Sequence, residues 1–395
     1  MLLAVMSENI VLEMFVIFIV ILFSPILSRL LKIPVIVLET LLGILLGPSF
    51  LSILEAECWL LTIALVGFIY LMFVVGLEVE LRLLRRKFSR VIAISLGSFL
   101  VPLTVGYFVG LYYGLPPEFI GVALSTTSMG VVLPTVKEYA EDNPDMAQTL
   151  LGAAILVDVI SMLALAYVIE REYLSPDKLV FFVASVLGIM IAIAILKEWK
   201  PVKDKIKALT GAYHLDVRLC IALIFGFAAL AEFTGIHAII GAFAAGLIVS
   251  ELEEKVEGLL EKLLGFGYGF FIPIFFIAVG IRTDLRLVFG NIRGLEILGA
   301  LLLAGFTGKI AGTYFISRVS GFSKSESLSM GFAMSARLSL IIAAAELGLT
   351  AGLIDQEIYS ILVLLAIASV LLSPTLSKLA LGRKVPKIPE EIPIP

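Results

Sequence analysis

The stretch LGAAILVDVISMLALAY, residues 151–167, places one acid, Asp158, in the middle of an otherwise apolar run. Such a run is typical of a helix that crosses about 30 Å of hydrocarbon. A carboxylate at that depth is costly unless it is neutralised or serves a purpose, so Asp158 is a candidate functional residue by default. We therefore expect the other helices of the chain to be arranged around this acid.

The composition is that of a protein that crosses a membrane many times. Of the 395 residues, 60% are hydrophobic and 16% are charged, and the mean hydropathy is +1.09. Soluble globular domains carry about 25% charged residues. The apolar runs are about 20 residues long and lack the alternating pattern of an outer-membrane barrel, which predicts an all-α polytopic membrane protein.

Polar breaks divide the sequence into about thirteen predicted transmembrane helices. The first follows MLLAVMSEN (1–9), which has no basic region and no small-residue cleavage site, so we expect a retained helix and not a signal peptide. The predicted helices cover roughly residues 9–30, 33–54, 59–81, 88–113, 117–138, 146–169, 177–197, 216–234, 237–252, 262–281, 295–318, 325–348 and 354–379.

The distribution of lysine and arginine predicts the orientation of these helices. Of the 29 such residues, those in loops cluster after the odd-numbered helices, as in 82–90 and 197–207. The loops on the other side hold only Arg171, Lys178, Arg282, Arg286 and Arg293. By the positive-inside rule, the protein lies in the cell membrane with its N-terminus outside and its C-terminus in the cytoplasm. Cys58 and Cys220 then lie at opposite faces and are not expected to pair.

The sequence contains an internal repeat. VVGLEVELRL (74–83) in the third helix is similar to AVGIRTDLRL (278–287) in the tenth, and GVALS (121–125) in the fifth is similar to GFAMS (331–335) in the twelfth. Copies seven helices apart cross the membrane in opposite directions, which predicts an inverted repeat with a substrate site at broken helices near the midplane. The predicted single transport domain, 1–395, comprises a first repeat (1–170), a connector helix and cytoplasmic loop (171–212), a second repeat (213–381) and a short cytoplasmic tail (382–395).

The fifth helix is predicted to be broken. In ALSTTSMGVVLPTVKEY, Pro134 cannot donate to the carbonyl of Gly130, and the hydroxyls of Thr126, Thr127 and Ser128 compete for backbone hydrogen bonds. Non-helical backbone at this depth is tolerated where it is buried in protein or lines a cavity. A helix that is only kinked at Pro134 would account for the same sequence, but the presence of a second copy in the repeat favours a broken helix.

Arg337 lies in the second copy, GFAMSARLSLII, at the position that Thr127 holds in the first. A buried arginine beside Ser335 is predicted to stabilise a broken helix by donating to carbonyls that the break frees. Lys309 lies about 14 residues into the eleventh helix, too deep to reach either face comfortably. For Arg337 and Lys309 alike, a structural ion pair between helices remains an alternative.

Three glutamates also interrupt apolar runs. Glu39 and Glu346 are candidate auxiliary acids of the site, whereas Glu232 lies near a helix end and is expected to be solvated. No cluster of cysteine and histidine indicates a transition metal, and no nucleotide-binding motif occurs. We therefore expect no enzyme, no cofactor and no nucleic-acid partner, and an ion gradient as the energy source.

Five strings spread over nearly the whole chain resemble the monovalent cation/proton antiporters, the family that includes bacterial Na⁺/H⁺ antiporters and Kef-type potassium/proton systems. The strings are ETLLGILLGPS (39–49), FVVGLE (73–78), FAAGLIVS (243–250), FFIAVGI (275–281) and TGKIAG (307–312). The resemblance implies a homodimer in which each subunit has a dimerisation bundle and a mobile core bundle. It further implies that two broken helices cross beside an essential aspartate and that the core moves by elevator-like alternating access.

The resemblance assigns ion binding to Asp158, places Lys309 opposite it, and includes residues 126–128 in the first broken helix. One position departs from the family, because Val157 stands where electrogenic members have an acid and Kef-like or electroneutral members have Gln or Asn. Lys309 thereby loses its usual partner, so it contacts Asp158, a hydroxyl or carbonyl, or nothing. The Arg-Gly-Glu run of some relatives is replaced by Arg337-Leu338-Ser339.

The leading prediction is antiport of Na⁺, with K⁺ or Li⁺ as alternatives, against H⁺ at Asp158. Protons and cations would compete for its carboxylate, and the hydroxyls of residues 126–128 are the hard oxygen ligands that such a cation needs. One carboxylate holds one proton or one cation at a time, which predicts electroneutral exchange. The alternatives are a Kef-like K⁺/H⁺ antiporter, an organic-anion symporter that uses Lys309 and Arg337, and a non-transporting sensor or channel-like relative.

Overall fold

The computed structural model describes residues 10–78, 88–137, 143–170, 214–234, 236–253 and 258–382. These residues are all-helical, and nine of their helical segments are long and apolar enough to cross a membrane. The predicted fold class, an all-α polytopic membrane protein, is therefore confirmed. The helices of the first half are α1 (Ile10–Leu31), α2 (Val35–Leu46), α3 (Cys58–Leu77), α4 (Phe88–Tyr113), α5 (Pro117–Ser125), α6 (Met129–Lys137) and α7 (Pro144–Glu170).

The second half continues with helices of the same kind and one π-helical turn, Gly267–Phe271. They are α8 (Leu215–Phe233), α9 (Ala238–Glu253), α10 (Leu259–Phe266), α11 (Ile272–Arg282), α12 (Leu285–Phe289), α13 (Ile292–Val319), α14 (Lys324–Met334), α15 (Ser339–Thr350) and α16 (Gln356–Ala380). The predicted seventh helix, 177–197, lies outside the described residues.

Two sequence predictions about helices are corrected by the structure. The second helix ends at Leu46 and not at residue 54, because Gly47 adopts an extended conformation and the following Pro48 has no N–H with which to continue the helical hydrogen bonds. The short helix α12 was not predicted, since its five residues are too few for a periodic signal. Its N-cap is Asp284, whose carboxylate accepts the N–H of Arg286.

The helices pack into two bundles. In the scaffold bundle, α2 packs on α11, α3 packs on α9 and α11, α8 packs on α9, and α1 packs on α2. In the core bundle, α4 packs on α13, α5 and α7, while α14 packs on α13 and α16. The most extensive contacts between described helices run within one bundle or the other, and α12 connects the two.

Glycines allow the closest helix crossings of the scaffold. A Cβ atom added to Gly280 of α11 would lie 2.1 Å from the Thr40 oxygen of α2, and one added to Gly246 of α9 would lie 2.1 Å from the Phe73 oxygen of α3. In each crossing the facing residue is also a glycine, Gly43 or Gly76. Small residues at such points let membrane helices approach until their backbones touch.

Hydrogen bonds between loops define the two faces of the molecule. On the outer face, Ser49 donates to Thr283, Asn291 donates to Glu357, and Arg293 donates to the Tyr113 carbonyl. On the inner face, Asn143 donates to Glu326, Ser325 donates to the Ala380 carbonyl, and Arg90 pairs with Asp145. The outer face is the one that the lysine and arginine distribution predicts to be extracellular.

Replacing Gly280 by alanine should lower the melting temperature of the detergent-solubilised protein. The added methyl group would overlap the α2 backbone, and such overpacking costs about 1–3 kcal/mol. Gly299→Ala in α13 is the matched control, since a Cβ there meets nothing within 4 Å. Equal melting temperatures for the two variants in a thermal-shift assay would contradict the packing argument.

Candidate functional site

Two helices of the core bundle are interrupted at the same depth. Residues 126–128 separate α5 from α6, and residues 335–338 separate α14 from α15. The two interruptions lie against each other, because Thr127 Oγ1 donates to the Met334 carbonyl at 3.4 Å. Each interruption leaves one helix C-terminus and one helix N-terminus inside the protein, where their unpaired backbone groups carry partial charges.

Hydroxyl side chains satisfy part of the backbone at the first interruption. Thr126, at φ −59° and ψ 159°, leaves the helical region, and its Oγ1 donates to the Ala123 carbonyl at 2.8 Å. Ser125 Oγ lies within hydrogen-bonding distance of the carbonyls of Gly121, at 2.8 Å, and Phe99, at 2.9 Å. The hydroxyl-rich sequence therefore supplies local donors at the point where the helix stops.

The proline and glycine associated with this break in the sequence lie within α6 and not in the interruption. Pro134 is in the interior of α6, and Gly130 is its second residue, exposed and with open space around its Cα. The second interruption follows Ser335, whose Oγ donates to the Gly331 carbonyl at 2.8 Å. The backbone thus leaves the helix at hydroxyl-bearing residues in both segments.

Arg337 is fully buried within the second interruption. Its guanidinium donates to three carbonyls, those of Leu124 at 2.9 Å, Ser335 at 2.9 Å and Gly305 at 2.6 Å. Its backbone exchanges hydrogen bonds with the Ser369 hydroxyl, at 2.9 Å in each direction. One side chain therefore connects the C-terminal ends of α5 and α14 with α13.

Lys309 is also fully buried, and its Nζ donates to the Ser125 carbonyl at the C-terminus of α5. Of the alternatives left by the sequence, the structure places it on a carbonyl. Within the described residues it makes no ion pair, with Asp158 or any other acid. Both buried cations therefore lie where helix ends present partial negative charge, which is the favourable arrangement.

Asp158 lies in α7 with 4% of its surface exposed. The backbone N–H of Met129, the first residue of α6, lies near the carboxylate, and Lys309 and Glu78 are its charged neighbours. The Oδ1 atom is buried and has no hydrogen-bond partner in the described part of the chain. Because buried polar atoms in proteins nearly always have a partner, this oxygen is a candidate acceptor for a proton or a cation.

Val157, the residue before this aspartate, is fully buried in an apolar cluster. The cluster includes Val132 of α6, Leu150 and Ala154 of α7, and Met334 of α14. An acid at position 157 would have to enter this cluster. The packing therefore suits the aliphatic residue that distinguishes this chain from the family pattern.

The remaining acids are distributed between the two bundles. Glu39 in α2 is buried and accepts a hydrogen bond from Ser24 at 3.1 Å, so it lies in the scaffold and not beside the interruptions. Glu346 in α15 pairs with Arg282 at the outer end of α11. Glu232 is exposed. Sequence reasoning missed Glu78, which ends the quoted string FVVGLE and lies at the C-terminus of α3, partly exposed.

Comparison with known proteins gives consistent matches over nearly the whole chain. Residues 17–378 match the family described as "Sodium/hydrogen exchanger, transmembrane". The chain is 34% identical to probable Na⁺/H⁺ antiporter 3 of Methanocaldococcus jannaschii, over 92% of this chain and 95% of the relative. It is 30% identical to the Na⁺/H⁺-K⁺ antiporter GerN of Bacillus cereus, over 88% and 89%.

A solved structure has the same fold. The sodium proton antiporter MjNhaP1 from Methanocaldococcus jannaschii aligns with a TM-score of 0.65 and 16% identity, covering 95% of this chain and 100% of that one. The antiporter-like fold predicted from the sequence is therefore confirmed.

Replacing Arg337 by alanine should lower the melting temperature of the detergent-solubilised protein. The carbonyls of three helices lose a charged donor, and a hydrogen bond to a charged group contributes about 1.5–3 kcal/mol. Arg293→Ala on the exposed outer face is the matched control. An unchanged melting temperature with a large shift in apparent cation affinity would assign Arg337 to ion binding.

Proposed function

Because the chain belongs to the sodium/hydrogen exchanger family and is a cation/proton antiporter, we propose that it exchanges Na⁺ for H⁺ at Asp158. The observation that carries this assignment is the buried Oδ1 of Asp158, which no donor of the described chain satisfies. A proton or a small cation satisfies the same oxygen, and the two cannot occupy it together. Competition for one atom is the simplest chemistry that couples the two fluxes.

Oxygen atoms of the first interruption are proposed as further ligands. Thr126 and Thr127 donate their hydroxyl protons to carbonyls, so the lone pairs of the same hydroxyls remain free for a cation. Ser128 is buried between them and Met129, whose N–H lies near Asp158. Carboxylate, hydroxyl and carbonyl oxygens are the ligands that hard cations prefer.

The two buried cations are proposed to serve structural and electrostatic roles. Lys309 and Arg337 donate to the backbone at the ends of α5 and α14, where they balance the partial charges of the broken helices. Their engagement with carbonyls disfavours the organic-anion symporter, because the guanidinium and ammonium groups would have to exchange these bonds for a substrate carboxylate.

We propose that the core bundle moves against the scaffold bundle in an elevator-like cycle. The most extensive helix contacts lie within each bundle, so movement of one past the other disturbs few of them. The inner face is proposed to be cytoplasmic. On that side of Asp158, Gly130 is exposed and Glu78 is partly exposed, whereas Leu124 on the outer side is fully buried. This arrangement suits a state open to the cytoplasm.

The inverted repeat and the dimer also remain proposals. In the proposed repeat, α2 corresponds to α9 and α3 corresponds to α11, so the α2–α11 crossing corresponds to the α9–α3 crossing. Both crossings bring two glycines together, Gly43 with Gly280 in the first and Gly76 with Gly246 in the second. A homodimer through the scaffold is proposed because α1 exposes a broad apolar face, including Val11 at 82%. Lipid would cover whatever part of that face the partner leaves free.

Exchange is proposed to be electroneutral, because Val157 supplies no second acid next to Asp158, and Glu78, its acidic neighbour, lies at the end of α3 in the scaffold and not at the interruptions. K⁺ is the second candidate for the transported cation. The observation that favours it is the similarity to a protein named Na⁺/H⁺-K⁺ antiporter.

Asp158→Asn should abolish exchange while leaving the protein folded, because a neutral amide cannot alternate between a proton and a cation. The measurement is dissipation of a pH gradient in proteoliposomes after addition of Na⁺, Li⁺ or K⁺. Glu296→Gln, at an exposed acid of α13, should keep the parent rate and serves as the control. Near-parent rates in Asp158→Asn would show that the ion site lies elsewhere.

Voltage should not change the exchange rate if each turn moves one H⁺ against one cation. The test measures Na⁺-driven proton flux in proteoliposomes at several valinomycin-clamped potentials. The critical variant is Lys309→Gln, because a lysine that released its proton when the cation bound would add a second charge to each turn. A steep voltage dependence, or an Na⁺-induced current that disappears in Lys309→Gln, would refute electroneutrality and identify Lys309 as a second proton carrier.

A further inference from the structure

An ion pair joins the two bundles at the outer face. Arg282, the last residue of α11 in the scaffold bundle, pairs through Nη1 with Glu346 Oε1 of α15 in the core bundle. The side chains are 21% and 18% exposed, so the pair is shielded from most of the solvent. An interaction of this kind is stronger than one between fully exposed charges.

Further contacts of α11 reach the core at the same level. The Arg282 guanidinium lies over the ring of Tyr359 in α16, with its central carbon 5.4 Å from the ring centroid. The buried Tyr359 hydroxyl donates to the Val279 carbonyl at 3.4 Å, and Gln356 donates to the Arg282 carbonyl. Arg282 therefore contacts the core through its charge, its guanidinium face and its backbone.

The corresponding position at the inner face carries the opposite charge. In the repeated strings VVGLE and AVGIR, Glu78 aligns with Arg282. Glu78 makes no ion pair with any described residue and is a charged neighbour of Asp158. At the equivalent position of the two strings, one has Arg282, which pairs across the bundles at the outer face, and the other has Glu78, which is partly exposed at the inner face.

A small apolar cavity lies between the bundles in the outer half of the protein. Its core side includes Ala166 of α7 and Leu347 of α15, which adjoins Glu346, and its scaffold side includes His237 and Ile240. Separation of the bundles at the outer face would widen this cavity toward water. Contacts across the outer face, such as that between Arg282 and Glu346, oppose this separation.

We propose that the Arg282–Glu346 pair, supported by Tyr359, is a latch that holds the outer ends of the two bundles together while Asp158 communicates with the inner face. The latch separates when the core moves, and it forms again when the outer route closes. This inference rests on the proposed movement of the core bundle. It assigns a conformational role to Glu346, which would control access and would not bind the transported ion in the closed state.

Cysteine accessibility tests the latch in membrane vesicles of both orientations. The background is Cys58→Ser with Cys220→Ala, and Ala166→Cys in the outer cavity is the reporter for a membrane-impermeant maleimide. Adding Arg282→Gln should increase the labelling rate from the outer face about fivefold, as loss of an interaction worth about 1 kcal/mol predicts. Arg90→Gln, which removes an ion pair within the core at the inner face, is the matched control and should leave the rate unchanged.

A charge exchange provides the decisive comparison. Arg282→Glu combined with Glu346→Arg should return the labelling rate toward that of the background, whereas either change alone should raise it. A second reporter, Ala153→Cys in the fully buried core, should remain unreactive throughout. Unchanged labelling in both single variants, or labelling that rises equally at both reporters, would overturn the latch.

The labelling assay needs no ion flux, so its result is independent of the exchange assay. Failure of the latch would leave Na⁺/H⁺ exchange at Asp158 standing. Retained exchange in Asp158→Asn would relocate the ion site without changing what the labelling rates report.

Discussion

The structure depends on how a membrane protein satisfies backbone groups where helices break. The interruptions at 126–128 and 335–338 leave carbonyls inside the protein, away from water, and such groups are expensive without donors. Arg337 and Lys309 supply those donors to Leu124, Ser335 and Ser125. The buried cations and the broken helices therefore stabilise each other, because a buried arginine or lysine without acceptors would be as costly as a buried carbonyl without a donor.

Asp158 takes no part in these hydrogen bonds between buried cations and backbone carbonyls, and its proposed role follows from that. Lys309 donates to a carbonyl and forms no ion pair with Asp158 in the described chain, so the carboxylate has charged neighbours but no salt bridge. The N–H that begins α6 lies near the carboxylate, and Oδ1 has no hydrogen-bond partner in the described chain. A fully paired aspartate would be a structural strut, whereas one with an unsatisfied oxygen can alternate between ligands at small cost.

The scaffold follows a different physical rule. Its closest crossings bring backbones into contact at paired glycines, and its α10 continues through a π-helical turn into α11, which ends at Arg282. Such an interface is rigid because it is close-packed. The core, with short half-helices, hydroxyls and buried charges, makes polar contacts with the scaffold at the outer end through Arg282. The proposed movement requires this difference, because the scaffold bundle has to stay rigid while the core bundle moves beside it.

Sequence alone was enough for the helical membrane class, most helix positions and the family resemblance, because length and hydropathy are local properties of an apolar run. It also selected Asp158, Lys309 and Arg337, since ionisable residues in such runs stand out without any structure. The end of α2 at Leu46 and the short α12 were mispredicted, because capping and turns depend on a few atoms and leave little periodic signal.

Only the tertiary structure decided the partners of these residues. The sequence left Lys309 with three alternatives, and the Ser125 carbonyl is its partner because α5 ends beside α13. Glu346 was grouped with the ion site, yet it reaches Arg282, 64 positions away, because α11 and α15 end at the same face. Which donor meets which acceptor depends on contacts between distant helices, and those distances are not encoded in the local pattern of any single run.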